Sequence, residues 1–556
     1  MTQTRRGDLN EASRAHSLAH LAEHEVDVLV IGGGVTGAGV ALDAATRGLS
    51  VALCEAADLA SGTSGFSSKL VHGGLRYLAR GDLPLAWESA VERAALMRRI
   101  APHLVRPRAF LVPRFGGGAS GAAADALSET GIRIADLLRV ASGLPASVLP
   151  RPRRVDPRGA RLLAPALRQE GLRGGIVYWD GALEDDVRLV VALARTAARH
   201  GAHVLTGCRV LSASERGAVI DAGPAPGSDT SAAAPRTELR IRARVVINAA
   251  GVWAGDFAPG LPMTPSRGTH LVISSATLGH PRAVMTAPVP GHFGRYVFVL
   301  PQSNGLCYLG LTDEPAPGAD GYAPAIPDTD VDFLLRVANA ALDTPLTRAD
   351  VLSSFAGLRP LLGAGTDSAN ASRRHLLRDR PGEPITITGG KLTAYRRMAE
   401  EAVDAAVRRL GGDPRARAAV TARVPLLGSP GSGNFPGAGN AGQVQWPGAD
   451  PGGTIAARLT ARYGWEAARV AALAAADPIL TEELAPGAGV TGAEVRFAVL
   501  AEGARTPEDV LHRRTRLAFD PERSSAAAPA VAALLARDSP RAQGRGDRSD
   551  GADGAS

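Results

Sequence analysis

Residues 26–55, VDVLVIGGGVTGAGVALDAATRGLSVALCE, constrain the chain more than any other stretch. Val26–Ile31 reads as a buried strand, Gly32-Gly33-Gly34-Val35-Thr36-Gly37 fits G-x-G-x-x-G, and a helix follows until Arg47-Gly48, where glycine supplies the cap. Leu49–Cys54 is a second apolar run, so the whole is a strand–turn–helix–strand unit. In such a unit Gly32 permits the turn, Gly34 lets backbone approach a pyrophosphate at the helix N-terminus, and Gly37 lets helix and strand pack closely. Glu55 ends the second strand 23 positions after Gly32, where a carboxylate accepts hydrogen bonds from ribose hydroxyls and disfavours a 2′-phosphate. Strand, turn, helix and acid together point to a dinucleotide.

Two later pieces bear on which one. Residues 244–251 (RVVINAAG) read as a strand ending in small residues, and Gly389-Gly390-Lys391 is a late Gly-Gly turn opening a helix. Several close backbone approaches spread along one chain suit the extended FAD better than NAD. Cys54, Cys208 and Cys307 lie far apart, so neighbouring cysteines build no iron–sulfur or zinc site and no metal is expected.

At 556 residues with 45% hydrophobic and 21% charged residues, the chain is globular and too long for one core. The expected order is an N-terminal arm (1–25), a nucleotide-binding part (about 26–110, 180–260 and 355–410) interleaved with a mixed-sheet substrate part (about 111–179 and 261–354), a Gly/Pro linker (426–453), a helical C-terminal domain (454–536) and a polar tail (537–556). Helices are expected at 9–24, 86–100, 186–199 and 393–410, strands at 204–210 and 244–248, and loops at 116–124 and 223–235. The fold class is α/β: a Rossmann-like FAD-binding domain, a mixed β-sheet substrate domain and a C-terminal helical domain.

The net charge is +7, but the arginines are scattered without aromatic interleaving, which argues against nucleic acid and leaves an anionic membrane surface as a partner. Neither a spanning helix nor a signal peptide is evident, so a cytoplasmic chain, peripheral on the inner face of the plasma membrane, is expected. Of the 62 cations, 60 are arginine and two, Lys69 and Lys391, are lysine. Where arginine has replaced lysine almost everywhere, a retained ammonium suggests a specific chemical need.

Both lysines fall in motifs. DLASGTS (58–64), SSKLVHGGLRY (67–77), NAAGVW (248–253), SRGTH (266–270), LTDEP (311–315), AGLRPL (356–361), SRRH (372–375), GGKLTAYR (389–396) and DVLHRRTRLAF (509–519) occur in an order that closely resembles the FAD-dependent glycerol-3-phosphate dehydrogenases of the aerobic, quinone-linked type. The resemblance covers about residues 10–536. Ala250, Ala394, Leu311 and Gln302 depart from that pattern without removing a charge.

The resemblance implies oxidation of sn-glycerol 3-phosphate to dihydroxyacetone phosphate, hydride transfer to FAD, and electrons passed to a membrane quinone. It implies substrate contacts from Arg76, Tyr77, Arg373 and Lys391, with Arg76 or Arg373 on the phosphate, for which guanidinium is the suited donor. His270 or Arg359 would face the reacting hydroxyl, His270 being the choice as base because imidazole titrates near working pH. Flavin contacts are implied for Gly32, Gly34, Gly37, Glu55, Thr63, Ser64, Ser67, Lys69, Val210, Ala250, Gly251, Gly390, Lys391, Leu392 and Thr393. His72 is read as structural, Asp313 as a turn residue, and Glu184, Asp185 and Asp186 as helix N-terminal charges. Homo-oligomeric assembly is expected. An oxidase that reduces O₂ and a flavin-binding protein without activity are the alternatives.

Overall fold

The computed structural model describes residues 5–74, 78, 81–116, 119–223, 237–290, 295–363, 374–413, 415–432 and 444–537. Arg76, Tyr77 and Arg373, most of the 223–235 insertion, part of the linker and the polar tail lie outside the described residues.

The opening unit forms as its pattern requires. Val26–Ile31 is buried at every position, as expected of a parallel strand covered on both faces. It lies between Glu238–Asn248 and Val51–Cys54, parallel to both, and His203–Leu205 continues the parallel order beyond Val51–Cys54. On the other side Ile385–Gly389 runs parallel to Glu238–Asn248, and His375–Arg378 closes the edge antiparallel. Helix Val35–Thr46 packs against Asp186–Arg199 and Tyr395–Arg409. Their apolar faces form one core with the sheet.

A second, mixed sheet runs Glu314–Pro315, Met263–Ser274, Leu306–Gly310, Tyr296–Pro301, Val284–Pro288, Val105–Phe115, Leu172–Leu183, Leu70–Val71, with Val351–Leu362 antiparallel along Met263–Ser274. The boundaries expected at 110/111, 179/180 and 354/355 therefore fall inside strands of this sheet. Each of these strands is longer than its apolar core, so a boundary drawn from composition cuts it short.

Other differences are local. The expected loop at 116–124 is the start of helix Ala119–Ala141, because its alanines favour helix once three glycines are passed. The expected strand 204–210 is two strands, His203–Leu205 and Arg209–Ser214. The expected helix 86–100 starts earlier, at Leu83, and ends in a wide turn, Leu96–Ile100. The N-terminal helix Glu11–Glu23 opens on a reciprocal Asn10/Ser13 cap.

The C-terminal region is helical, with helices Thr454–Tyr463, Ala467–Ala476, Gly492–Ala501 and Pro521–Arg537. It meets the nucleotide-binding part through buried charges on helix Asp186–Arg199. Arg195 donates to Glu466 at 2.6 and 2.9 Å, and Arg188 pairs with Glu502.

Candidate functional site

One cavity of about 810 Å³ lies between the two sheets. That is at the upper end of the ~300–1,000 Å³ typical of small-molecule sites. One end is the glycine turn. Gly32 has φ +104°, and a Cβ on Gly37 would lie 1.8 Å from the Gly32 carbonyl oxygen, so helix and turn touch there. Helix Val35–Thr46 carries no side chain over its start at Gly34, and the Val35 N–H is met by Ser64 Oγ at 2.9 Å. Glu55 is anchored by the N–H groups of Gly33 (2.6 Å) and Ala57 (2.8 Å), and burial raises its pKa. A helix N-terminus opened by glycine, an oriented carboxylate and a backbone that can be approached closely are the groups a dinucleotide pyrophosphate and ribose require, so the residues fit FAD.

Of the residues expected at the flavin, Gly32, Gly34, Glu55, Thr63, Ser64, Ser67, Val210, Ala250, Gly251, Gly390, Lys391, Leu392 and Thr393 all line this cavity. Gly37 stands behind it. The Ser67 N–H and hydroxyl both donate to Asp186, at 3.0 and 2.8 Å, so both donors are engaged by the loop's own support.

Lys69 departs from expectation. Its ammonium turns away from the cavity to Asp186 (3.0 Å) and sits over the rings of Tyr308, Phe355 and Phe519. Burial lowers its pKa, and Asp186 opposes the shift. Lys391 does line the cavity and occupies the cap position of the turn Leu392–Ala394 that leads into helix Tyr395–Arg409.

Strand pairing builds the other end. Met263–Ser274 and Val351–Leu362 pair Ser266 with Arg359, Gly268 with Gly357 and His270 with Phe355, so these alternate residues share one sheet face. Gly268 leaves room for Arg359, since a Cβ there would lie 2.2 Å from the guanidinium. Arg359 donates to Asp313 (3.1 Å) and to the Thr312 carbonyl (3.1 Å). Asp313 is thus an anchor for this arginine rather than a turn residue alone.

His270 is buried, stacked on Phe355 at 4.7 Å and hydrogen-bonded through Nε2 to Ser68 at 2.9 Å, with Nδ1 unpartnered. Burial first, then Lys69 and Arg359, push its pKa down to about 3, so it is neutral at working pH.

His72, read from the sequence as structural, stands at the cavity. Its half-exposed ring lines the cavity, and its Nδ1 lies 3.8 Å from Asp180. Asp180 is buried, receives the Gly73 N–H (3.0 Å) and Arg93 (2.6 Å), and is lowered to about 2, burial being overcome by Arg93 and His72. A fixed carboxylate behind an accessible imidazole can orient the ring. Tyr178, Arg295 and the tilted ring pair Trp253–Tyr322 (4.5 Å) also line the cavity without having been expected. Trp253 stands in NAAGVW and was open to suspicion; Tyr322 has no comparable signal.

Among the described residues no group of three His, Cys, Asp or Glu is placed to hold a metal ion.

The comparisons with known proteins agree with this geometry. A family model for FAD-dependent oxidoreductases matches residues 27–378, and one for the C-terminal domain of alpha-glycerophosphate oxidase matches 419–541. A glycerol-3-phosphate dehydrogenase 1 of Mycobacterium tuberculosis is 45% identical over 92% of this chain and 95% of its own length. A glycerol-3-phosphate dehydrogenase of Pseudomonas aeruginosa is 34% identical over 91% and 94%. The crystal structure of a glycerol-3-phosphate dehydrogenase from Bacillus halodurans, complexed with FAD, superposes with a TM-score of 0.69 at 27% identity, covering 97% of each chain. The glycine cradle, the mixed second sheet, the helical C-terminal region and these matches together mean that the cofactor is FAD and that the chain belongs to the FAD-dependent glycerol-3-phosphate dehydrogenase family.

Proposed function

We propose that this chain oxidises the secondary alcohol of sn-glycerol 3-phosphate to give dihydroxyacetone phosphate and passes the electrons to a membrane quinone. One observation carries the reading. The Asp180-backed His72 and the Asp313-anchored Arg359 open into the same cavity as the Gly32–Gly37 turn. Bound FAD would accept the hydride from the alcohol carbon.

The chain's own residues must take the hydroxyl proton, stabilise the developing alkoxide and hold the phosphate. His72 is better placed than His270 to take the proton, because a ring whose conjugate acid titrates at about 3 is a weak acceptor. His270 fits the role of a neutral hydrogen-bonding wall. Arg359, held from behind by Asp313 and Thr312, offers fixed positive charge to the alkoxide. Arg76 or Arg373 remains assigned to the phosphate, and Tyr77 to the substrate, by motif, and Lys391 offers an ammonium at a helix start to an anionic ring edge or to substrate. Arg359→Met is expected to lower kcat about 100-fold with KM little changed. A raised KM with kcat preserved would move Arg359 to the phosphate.

The quinone reading rests on the rim of the cavity. Leu83, Trp87 and Val91 on helix Leu83–Ala95, and Leu127, Ile134, Leu137 and Val140 on helix Ala119–Ala141, are exposed apolar residues. Leu127 and Ile134 also line the cavity, and exposed Arg98, Arg99, Arg133 and Arg154 lie on or near the same elements. An apolar face set among arginines suits an anionic lipid surface. Among the described residues no helix is long and apolar enough to cross a membrane.

The test is anaerobic. Glycerol 3-phosphate should bleach the flavin and glycerol should do so poorly. Reoxidation should then be faster with quinone in anionic vesicles than with O₂. Peroxide formation without quinone stimulation would make the chain an oxidase, and absence of bleaching would leave a flavin protein without this activity.

A further inference from the structure

The loop 58–69 lines the cavity from Ser61 to Ser68, yet much of what holds it comes from the far end of the chain. Arg514, almost fully buried, places two nitrogens on the Asp58 carboxylate at 2.7 and 2.9 Å, and Arg513 adds a third contact at 2.8 Å. Arg516 donates to the Gly65 carbonyl and to Asp186 at 2.8 Å. Asp186 in turn receives the Ser67 N–H and hydroxyl and the Lys69 ammonium. The same segment ends in Phe519, which stacks on Phe355 at 4.5 Å, and Phe355 stacks on His270.

Three non-glycine residues with left-handed backbone meet at this junction: Ala60 (φ 61°), Lys69 (φ 58°) and Arg516 (φ 62°). Such conformations persist only where the surroundings over-determine them, and they gather at functional sites. Buried ion pairs stabilise little compared with apolar packing, but they permit one arrangement of the groups they join. What they join here is the cofactor-lining loop.

We propose that residues 513–519 act as a positioning clamp on the loop 58–69, so that flavin affinity is set in part by the C-terminal region, outside the nucleotide-binding fold. Arg514 and Arg516 are positioning residues that act through Asp58, Gly65 and Asp186. The role of Lys69 follows from the same geometry: beside three aromatic rings it pairs with the Asp186 oxygen that Arg516 also meets, and Asp186 passes that support to Ser67. The inference rests on the reading that this loop lines the flavin site.

The experiment follows flavin release from diluted holoenzyme by recovery of flavin fluorescence. Arg516→Met is expected to raise the FAD dissociation constant about 10-fold or more, with Arg516→Lys intermediate. Arg458→Met is the control. It removes a comparable ion pair, to Glu494, that lies wholly within the C-terminal region, and it should lower thermal stability without changing FAD affinity. If Arg516→Met lowers stability as Arg458→Met does and leaves the dissociation constant unchanged, the clamp is merely structural and the proposal falls. Should Arg516→Met not fold, Arg513→Gln, at a half-buried position, carries the same test with an expected rise of about 3-fold, and an unchanged constant overturns the proposal. Gly37→Ala separates the two readings. Flavin lost there but retained in the arginine variants sinks the clamp alone, whereas flavin retained in Gly37→Ala sinks the cofactor-site reading with it.

Discussion

Gly37→Ala is expected to yield protein without bound flavin. The added Cβ would sit 1.8 Å from the Gly32 carbonyl oxygen, far inside contact distance, and both atoms belong to backbone that no side-chain rotation can relieve. Either the helix Val35–Thr46 withdraws from the strand Val26–Ile31 or the Gly32 turn opens. The first disrupts the packing of that helix against Asp186–Arg199 and Tyr395–Arg409; the second displaces the backbone that a pyrophosphate would approach. We expect FAD affinity to fall about 1,000-fold or more, ~4 kcal/mol, read as loss of the flavin absorbance that co-purifies with the protein. Gly255→Ala is the matched control, because a Cβ there meets open space, and its flavin content should equal that of the parent. Full flavin occupancy in Gly37→Ala would mean the dinucleotide does not sit on this turn.

That prediction could be written from the sequence alone, and the reason is physical. The fingerprint, its strands and Glu55 are contiguous, and each glycine answers a local steric demand. Helix Asp186–Arg199 was legible for the same reason, with an apolar period over four turns and acids at its start. What stayed hidden depends on register and on side-chain direction. Asp180 reaches His72 because Leu70–Val71 pairs antiparallel with Gly181–Ala182, over a hundred residues away. No local pattern announces that pairing. Arg359 and Asp313, 46 positions apart, meet in the same way. The survival of Lys69 among 60 arginines marked it as special without saying which way it points, and a two-residue strand beginning at Leu70 turns it to the back of the loop.

His72→Asn is expected to lower kcat by about 1,000-fold, within the range of ~10²–10⁴ that a positioned proton acceptor supplies. Asparagine keeps a polar group facing Asp180 but cannot take the proton released when the alcohol becomes a ketone. The folded protein should bind flavin normally, since His72 lies beyond the loop that meets the glycine turn, and KM for glycerol 3-phosphate should change little. The comparison is of kcat and KM in parent and variant under the same conditions. The corresponding change at Asp180 is a poorer probe. It would strip the partner from buried Arg93 and so confound catalysis with a stability loss of about 3–5 kcal/mol. His270→Gln supplies the decisive contrast. If His270 only walls the site as a neutral ring, its variant keeps most of kcat. Should kcat collapse in His270→Gln and survive in His72→Asn, the proton goes to the buried ring of His270 and His72 is the wall.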